Sequence, residues 1–242
     1  MAQRLLMAGQ VRVDGQLVDK ASATVPADAA VEVRALPRFV SRAGDKLANA
    51  LEDLLDARRA GSLEVAGRHA IDVGASTGGF SDCLLQEGAS AVVALDVGHG
   101  QLHPRVREDE RVTVLERTNA RDVTRGLLPF EPDLLVCDVS FISVLVALPP
   151  VLACMAPDWW GVVLCKPQFE VGRGGVGRGG VVRDETVRAA ARERVIEGLA
   201  SHGATTHAWQ PARPQGRKGN VEYALLVGPR ADANRRPDTL LT

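Results

Sequence analysis

HAIDVGASTGGFSD, residues 69–82, decides how the rest of the chain is read. His69 to Ala75 is an apolar run around a single Asp72, short enough to be a strand buried on both faces. GGFSDCLLQEG, residues 78–88, then has the make-up of a helix closed by Gly88. Between the two lies a glycine-rich turn. Glycines there permit a tight reversal and let a ligand approach the backbone and the N-terminus of the next helix. The dinucleotide-binding pattern G-x-G-x-x-G fits poorly, because Ser76 stands where its second glycine would be.

The same rhythm continues outward. AVVALDV (91–97), VTVLERT (112–118), DLLVCDVS (133–140) and GVVLCKP (161–167) read as strands. SVLVALPPVLACMA (143–156) reads as a core helix and DETVRAAARERVIEGLASHG (184–203) as a long helix ending at Gly203. ATTHAWQ (204–210) and VEYALLVG (221–228) are two late strands, and their short link implies that one is antiparallel. Upstream, Ser41 caps a helix over SRAGDKLANALEDLLDARR (41–59), with Leu47, Ala50, Leu51, Leu54 and Leu55 on one face and Lys46 at its border. Strands of near-continuous Val, Ile and Leu alternating with helices define the α/β class: a doubly wound, mainly parallel sheet of seven strands.

The flanks are different. In residues 1–33 a helix end capped by Gly9 is followed by VRVDGQLVD, which alternates about a D-G turn, and by the short strand VEVR. That is too little chain for a core of its own. Residues 34–40 read as a linker, 41–228 as the main domain, and 229–242 as a polar, disordered tail.

Bulk composition narrows the function. A formal net charge of −1 over 242 residues excludes a chain that binds nucleic acid by overall charge, so any such surface is local. The four cysteines form no C-x-x-C pair, which argues for buried reduced thiols, no disulfide framework and no zinc site. No signal peptide is visible, and Pro149-Pro150 interrupts the longest apolar stretch, 139–156, so a cytoplasmic protein without a membrane span is expected.

In an open parallel sheet, ligands bind beyond the C-terminal strand ends. The first strand ends in the Asp72–Phe80 turn, whose spacing D-x-G-x-S-x-G-G matches the first motif of S-adenosylmethionine (SAM) methyltransferases. The second ends at Asp96, a carboxylate able to accept from both ribose hydroxyls of an adenosine. The third leads to Asn119 and Ala120, where an adenine edge would lie, unless Asn119 is an ordinary helix cap. Asp138 ends the fourth, Lys166 the fifth, and Glu222 lies on the last. With Lys46 these make two ammoniums and two carboxylates near one rim. Any one alone reads as a surface ion pair; the set is harder to dismiss.

SRAGDKL, IDVGASTGGFSD, VALDVGHGQL, DVSFIS, KPQFE with the Gly-rich loop after it, and KGNVEY occur in that order between residue 41 and about 228. In these stretches the chain resembles the TlyA family of ribosomal RNA 2′-O-methyltransferases, also labelled hemolysin A-like, whose catalytic domain is FtsJ/RrmJ-like. The resemblance implies a SAM-dependent methyltransferase sheet and a partial S4 RNA-binding module at the N-terminus, its first helix missing from this chain. It implies a Lys-Asp-Lys-Glu tetrad at Lys46, Asp138, Lys166 and Glu222. SAM is then expected at Asp72, Gly74, Ser76, Thr77, Gly78, Gly79, Phe80, Asp96, Val97, Asn119 and Ala120, with no metal. The implied substrate is a cytidine of ribosomal RNA, free or in a subunit, and the implied protein a monomer. Lys166 would steer and deprotonate the 2′-hydroxyl, either as a true base or as an electrostatic positioner.

RNA contacts are expected at Arg4, Arg12, Arg38 and Arg42, and at Arg173, Arg178, Arg217 and Lys218 in loops near the rim. VGRGG occurs twice in tandem (171–180), either as a solvated loop or as a phosphate clamp. Aromatics make up only 4% of residues, which favours backbone and shape recognition over base stacking. Competing readings are an NAD-dependent oxidoreductase, a non-catalytic RNA-binding or ribosome-assembly factor, and a membrane-lytic protein.

Overall fold

The structure is a computed structural model that describes residues 5–6, 9–33, 37–54, 64–172, 175–177, 179–216 and 219–230. It divides into two compact units, Met1–Arg38 and Phe39–Thr242. In the first, β1 (Val11–Val13) pairs antiparallel with β2 (Gln16–Leu17) and with β3 (Val31–Val33), in the order β2-β1-β3. Asp14 and Gly15 both take positive φ, the conformation that a two-residue hairpin turn requires.

The second unit begins at α1 (Arg42–Asp53), preceded by Phe39, which is buried in its core. The last two residues of the expected linker therefore belong to this unit: the Val40 amide donates to Asp82 Oδ2 at 2.8 Å. Then come β4 (His69–Val73), α2 (Gly79–Gln86), β5 (Ala91–Leu95), the one-turn α3 (Pro104–Arg107), β6 (Val112–Leu115) and β7 (Leu134–Cys137). α4 (Val144–Ala147) and α5 (Pro149–Leu152) lead to β8 (Trp160–Cys165), α6 (Pro167–Glu170), α7 (Glu185–Ser201), β9 (Ala204–Pro211) and β10 (Tyr223–Pro229). The seven strands lie in the order β6-β5-β4-β7-β8-β10-β9. All pairings are parallel except those of β10, which runs antiparallel to both β8 and β9. The expected doubly wound sheet with one reversed late strand is thus the observed one.

Several boundaries moved. The expected helix over 143–156 is two single turns, α4 and α5, because Pro149 and Pro150 supply no amide to continue the ladder. Ser41 occupies the N-cap position of α1, but its hydroxyl makes no capping bond and is buried without a hydrogen-bond partner. Pro229 still pairs with Ala204, and the Arg230 amide donates to Gly203 O, so these first two residues of the expected tail belong to the sheet; residues 231–242 lie outside the described residues.

Strand alternation divides the core. Ile71, Val73, Val93, Leu95, Leu135, Cys137, Val163, Cys165 and Leu225 face α4, α5 and α7. Ala70, Val92, Ala94, Val136, Val162, Leu164, Ala224 and Leu226 face α1 and α2. Close approach of β7 and β8 needs a glycine at 161: a Cβ there would run into the Leu135 carbonyl oxygen and lie 2.7 Å from Leu135 Cβ. Gly161→Ala is therefore expected to cost about 1–3 kcal/mol by overpacking, measured as a lowered midpoint in urea unfolding.

Candidate active site

Parity places the polar strand ends. Asp72 shares a face with Ala70, Asp96 with Ala94, Asp138 with Val136, Lys166 with Leu164 and Glu222 with Ala224. All five therefore turn toward the side of the sheet covered by α1 and α2. α1 brings Lys46 to the same side, half-buried one residue from fully buried Leu47.

The four tetrad residues meet as two ion pairs. Lys46 Nζ lies 2.5 Å from Glu222 Oε2, bridging 176 residues of sequence. Lys166 Nζ lies 2.5 Å from Asp138 Oδ1, off the angle of a good hydrogen bond, and donates to Ser140 Oγ at 2.9 Å. Asp138 also feels the charges of Lys46 and Glu222, so the pairs form one cluster. Lys166 and Glu222 are only 7% and 4% exposed. Such burial costs several kcal/mol per ion unless the charge is paired, and the set is formally neutral. Burial pushes the Asp138 carboxyl above its usual range, opposed by the attraction of the Lys166 ammonium.

The short α6 holds this cluster in register. Glu170, one turn after Lys166 and 6% exposed, accepts from the Ser143 hydroxyl at 2.5 Å and from the Val144 amide at 2.9 Å. Residues 138–144 are thus tied to α6 at both ends, through Asp138 and Ser140 on Lys166 and through Ser143 and Val144 on Glu170. Between the ties Phe141 takes φ +68° and is 91% exposed. A bulky side chain in the left-handed region is strained, and here it stands out from the rim. Sequence reasoning missed Ser140, Phe141 and Glu170; the four-residue spacing of Lys166 and Glu170 was the available signal. Asn220 was also missed: buried, it accepts from the Val182 amide and donates to Gly180 O, anchoring the end of the Gly-rich loop.

The β4 turn beside the tetrad is built for close approach. Gly74 takes φ +87°, and a Cβ on it would lie 3.1 Å from the Asp138 carbonyl oxygen. Ser76 and Thr77 are exposed, as is Val97. Half-buried Asp96 accepts from the Ser76 amide and the Gly98 amide, each at 2.7 Å, one per carboxylate oxygen. Each oxygen keeps a further lone pair, so an acceptor for a vicinal diol stands between the glycine turn and an exposed apolar side chain. This donor and acceptor set fits the adenosine half of SAM.

Other expected contacts are placed differently. Phe80 and Ala120 are core residues, their side chains turned into the hydrophobic clusters. Gly79 packs on α1, where a Cβ would sit 2.8 Å from the Gly44 amide nitrogen, and Gly78 lies under Leu102 and Val106. Asn119 caps the short turn after β6, accepting from the Arg121 amide. Asp72 is fully enclosed: its Oδ2 accepts from the Ser81 amide and hydroxyl, pinning the start of α2 to β4. Arg38 and Arg42 are exposed, and Arg12 donates to Gly15 O in its own hairpin turn. Arg4, Arg173, Arg178, Arg217 and Lys218 lie outside the described residues.

All four cysteines are buried and outside any disulfide. Burial pushes the Cys137 thiol up to about 12, and that of Cys165 higher, so neither supplies a thiolate at the rim. Among the described residues no group of His, Cys, Asp and Glu could hold a metal ion, and no helix is long and apolar enough to cross a membrane.

This strand order, with a glycine turn after the first strand and an acidic residue ending the second, defines a methyltransferase of the doubly wound class. A SAM-dependent methyltransferase from Mesorhizobium loti shares the fold, with a TM-score of 0.51 at 17% identity over 73% of this chain and 97% of that one. Residues 39–228 match the FtsJ-like methyltransferase model, and the chain belongs to that family. It is 44% identical over 233 residues to the 16S/23S rRNA (cytidine-2′-O)-methyltransferase TlyA of Mycobacterium tuberculosis, covering 96% of this chain and 84% of that protein. A hemolysin-named protein of Streptococcus thermophilus superposes with a TM-score of 0.76 at 34% identity, over 94% of this chain and 82% of that one.

Burial raises Asp72 from 3.8 to about 7, outweighing its hydrogen bonds to Ser81. Between those values the folded chain keeps a proton at Asp72 that the unfolded chain has released, so this carboxyl's contribution to stability falls as pH rises from 3.8 to about 7. Asp72→Asn is expected to flatten that part of the stability profile, read as urea midpoints across the window.

Proposed function

We propose that this protein is a SAM-dependent methyltransferase that modifies the ribose 2′-hydroxyl of a cytidine in ribosomal RNA, free or within a subunit, in the cytoplasm. The observation that carries the reading is the neutral, buried cluster of Lys46, Asp138, Lys166 and Glu222 beside the glycine turn, in a chain of the FtsJ-like family.

Gly74, Ser76, Thr77, Asp96 and Val97 would hold SAM, which supplies an electrophilic methyl group on cationic sulfur. The rest is done by this chain's residues. A ribose hydroxyl is a weak nucleophile, so it must be aligned and relieved of its proton. Lys166 has three N–H donors. The charge of Asp138 and the hydroxyl of Ser140 fix the ammonium, leaving N–H donors to orient the 2′-oxygen. As the oxygen forms its new bond to carbon its proton becomes acidic. Lys166 takes that proton while passing one of its own to Asp138, whose raised pKa suits it to receive a proton. The ammonium is thereby restored, and the cluster carries one extra positive charge until Asp138 releases its proton to solvent. Lys46 and Glu222 close the opposite side as a neutral pair. Phe141, exposed beside Ser140, gives a nucleobase a ring to lie against.

Lys166→Ala is expected to lower methyl transfer by at least about 100-fold while SAM binding stays near wild type. The measurement is tritiated methyl transfer from SAM to ribosomal subunits and to naked rRNA, with the label located at a linkage resistant to alkali. Loss of SAM binding in the variant would contradict the role given to Lys166.

A further inference from the structure

The tetrad leaves the other face of the same sheet edge unused. Glu222 and Tyr223 are consecutive and point to opposite faces: Glu222 to Lys46, Tyr223 into a cleft between the first turns of α7 and the C-terminal end of β9. Arg188, Arg192, Trp209, Arg213 and Tyr223 give this cleft its chemistry. The Arg192 guanidinium lies 3.5 Å from the Trp209 ring centroid and 5.0 Å from that of Tyr223. The two rings meet edge to face at 5.7 Å. Arg188 is held by the Val182 and Arg183 carbonyl oxygens, and its buried Nε has no hydrogen-bond partner. Trp209 remains 43% exposed even with Arg192 across it, whereas Trp159 and Trp160 are buried.

Each arginine already has a carboxylate: Glu185 for Arg188, Glu193 for Arg192 and Asp53 for Arg213. Arg192 is largely buried but its carboxylate partner Glu193 is exposed, and the Arg213 side chain is itself exposed, so a phosphate can replace the carboxylate at the outer edge of either guanidinium. Arginines stacked on or set beside a half-exposed indole form the combination that binds single-stranded nucleic acid, with cations on the backbone and a ring under a base. The position agrees. β9 ends, β10 begins and α7 starts at the rim where Asp138 and Lys166 sit, and the cleft opens one residue from Glu222. The net charge of −1 gives the chain no general affinity for RNA, so a local site of this kind is needed.

We propose that this cleft is a second RNA-binding site, holding a single-stranded segment that flanks the methylated nucleotide. Arg192 and Arg213 hold its phosphodiesters, Arg188 braces the wall of the cleft from the start of α7, and Trp209 stacks one of its bases. The proposal rests on the function proposed above, which it deepens.

The test titrates the full chain with a mixed-sequence single-stranded RNA oligonucleotide, following anisotropy of the RNA and emission of the protein's tryptophans. RNA is expected to quench the wild-type emission, and Trp209→Phe to remove that quench. Arg192→Gln with Arg213→Gln is expected to weaken binding about tenfold and to lower the slope of log affinity against log salt by about 1.4, at 0.7 per phosphate lost. Unchanged affinity and slope, or a quench that persists in Trp209→Phe, would overturn the proposal. So would inorganic polyphosphate binding as tightly as RNA, with the same quench. Should the double variant lose its cooperative thermal transition, exposed Arg213→Gln with Trp209→Phe carries the test. RNA binding in the cleft without methyl transfer to ribosomal RNA would defeat the proposed function alone. Methyl transfer with an unchanged KM for RNA in the variants would defeat the cleft alone.

Discussion

Four charged groups at a low-dielectric rim can persist only as pairs, and the rest of the catalytic unit is arranged to make those pairs possible. Lys166 and Asp138 end adjacent parallel strands, so the sheet itself sets their separation. Lys46 and Glu222 come from opposite ends of the unit, and meet because α1 is buried on the face of the sheet from which Glu222 projects. Removing either member of a pair would strand a buried charge, which costs far more than the pair contributes. The cluster is therefore a demand on the fold, whatever chemistry is proposed for it.

Packing without side chains meets that demand. Gly161 lets β8 approach β7, Gly74 lets the first turn lie against the Asp138 backbone, and Gly79 lets α2 cross the start of α1. Asp72 and Asp82 tie the same corner by hydrogen bonds: Asp72 holds α2 to β4, and Asp82 holds the entry to α1. The turn that fits a cofactor and the helix that carries Lys46 are thus fixed to one another. Glu170 does the same for the loop after β7, leaving Phe141 strained and exposed on a rigid base. Rigidity at the rim is what a transfer reaction needs, since the methyl donor and the acceptor oxygen must be aligned before chemistry.

The strand period organises the substrate side as well. Along β10 one face completes the tetrad, and the other opens on arginines and a half-exposed tryptophan. A single strand thereby serves two chemically different surfaces. Aromatics are sparse in the sequence, and the edge strand sets one exposed indole beside three guanidiniums.

Much of this was legible in the sequence because it depends on local patterns. Apolar runs of strand length, glycines at the turns and an acid or lysine closing each run determined the class of sheet, its reversed late strand and the residues at its rim. The limits of that reading were also local. Pro149-Pro150 splits one helix into two, and Phe80 and Ala120 belong to the core, although motif position alone placed them with the cofactor. What only the tertiary structure decided is which charges pair, which face each residue takes, and that Ser140 and Glu170 support Lys166. Pairing between Lys46 and Glu222 joins residues 176 positions apart. No local propensity encodes such a contact; it follows from strand order and from the packing of α1 on one particular face. Sequence supplied the charges, and the folded sheet determined their partners, because a buried ion is stable only where an opposite charge is brought within reach.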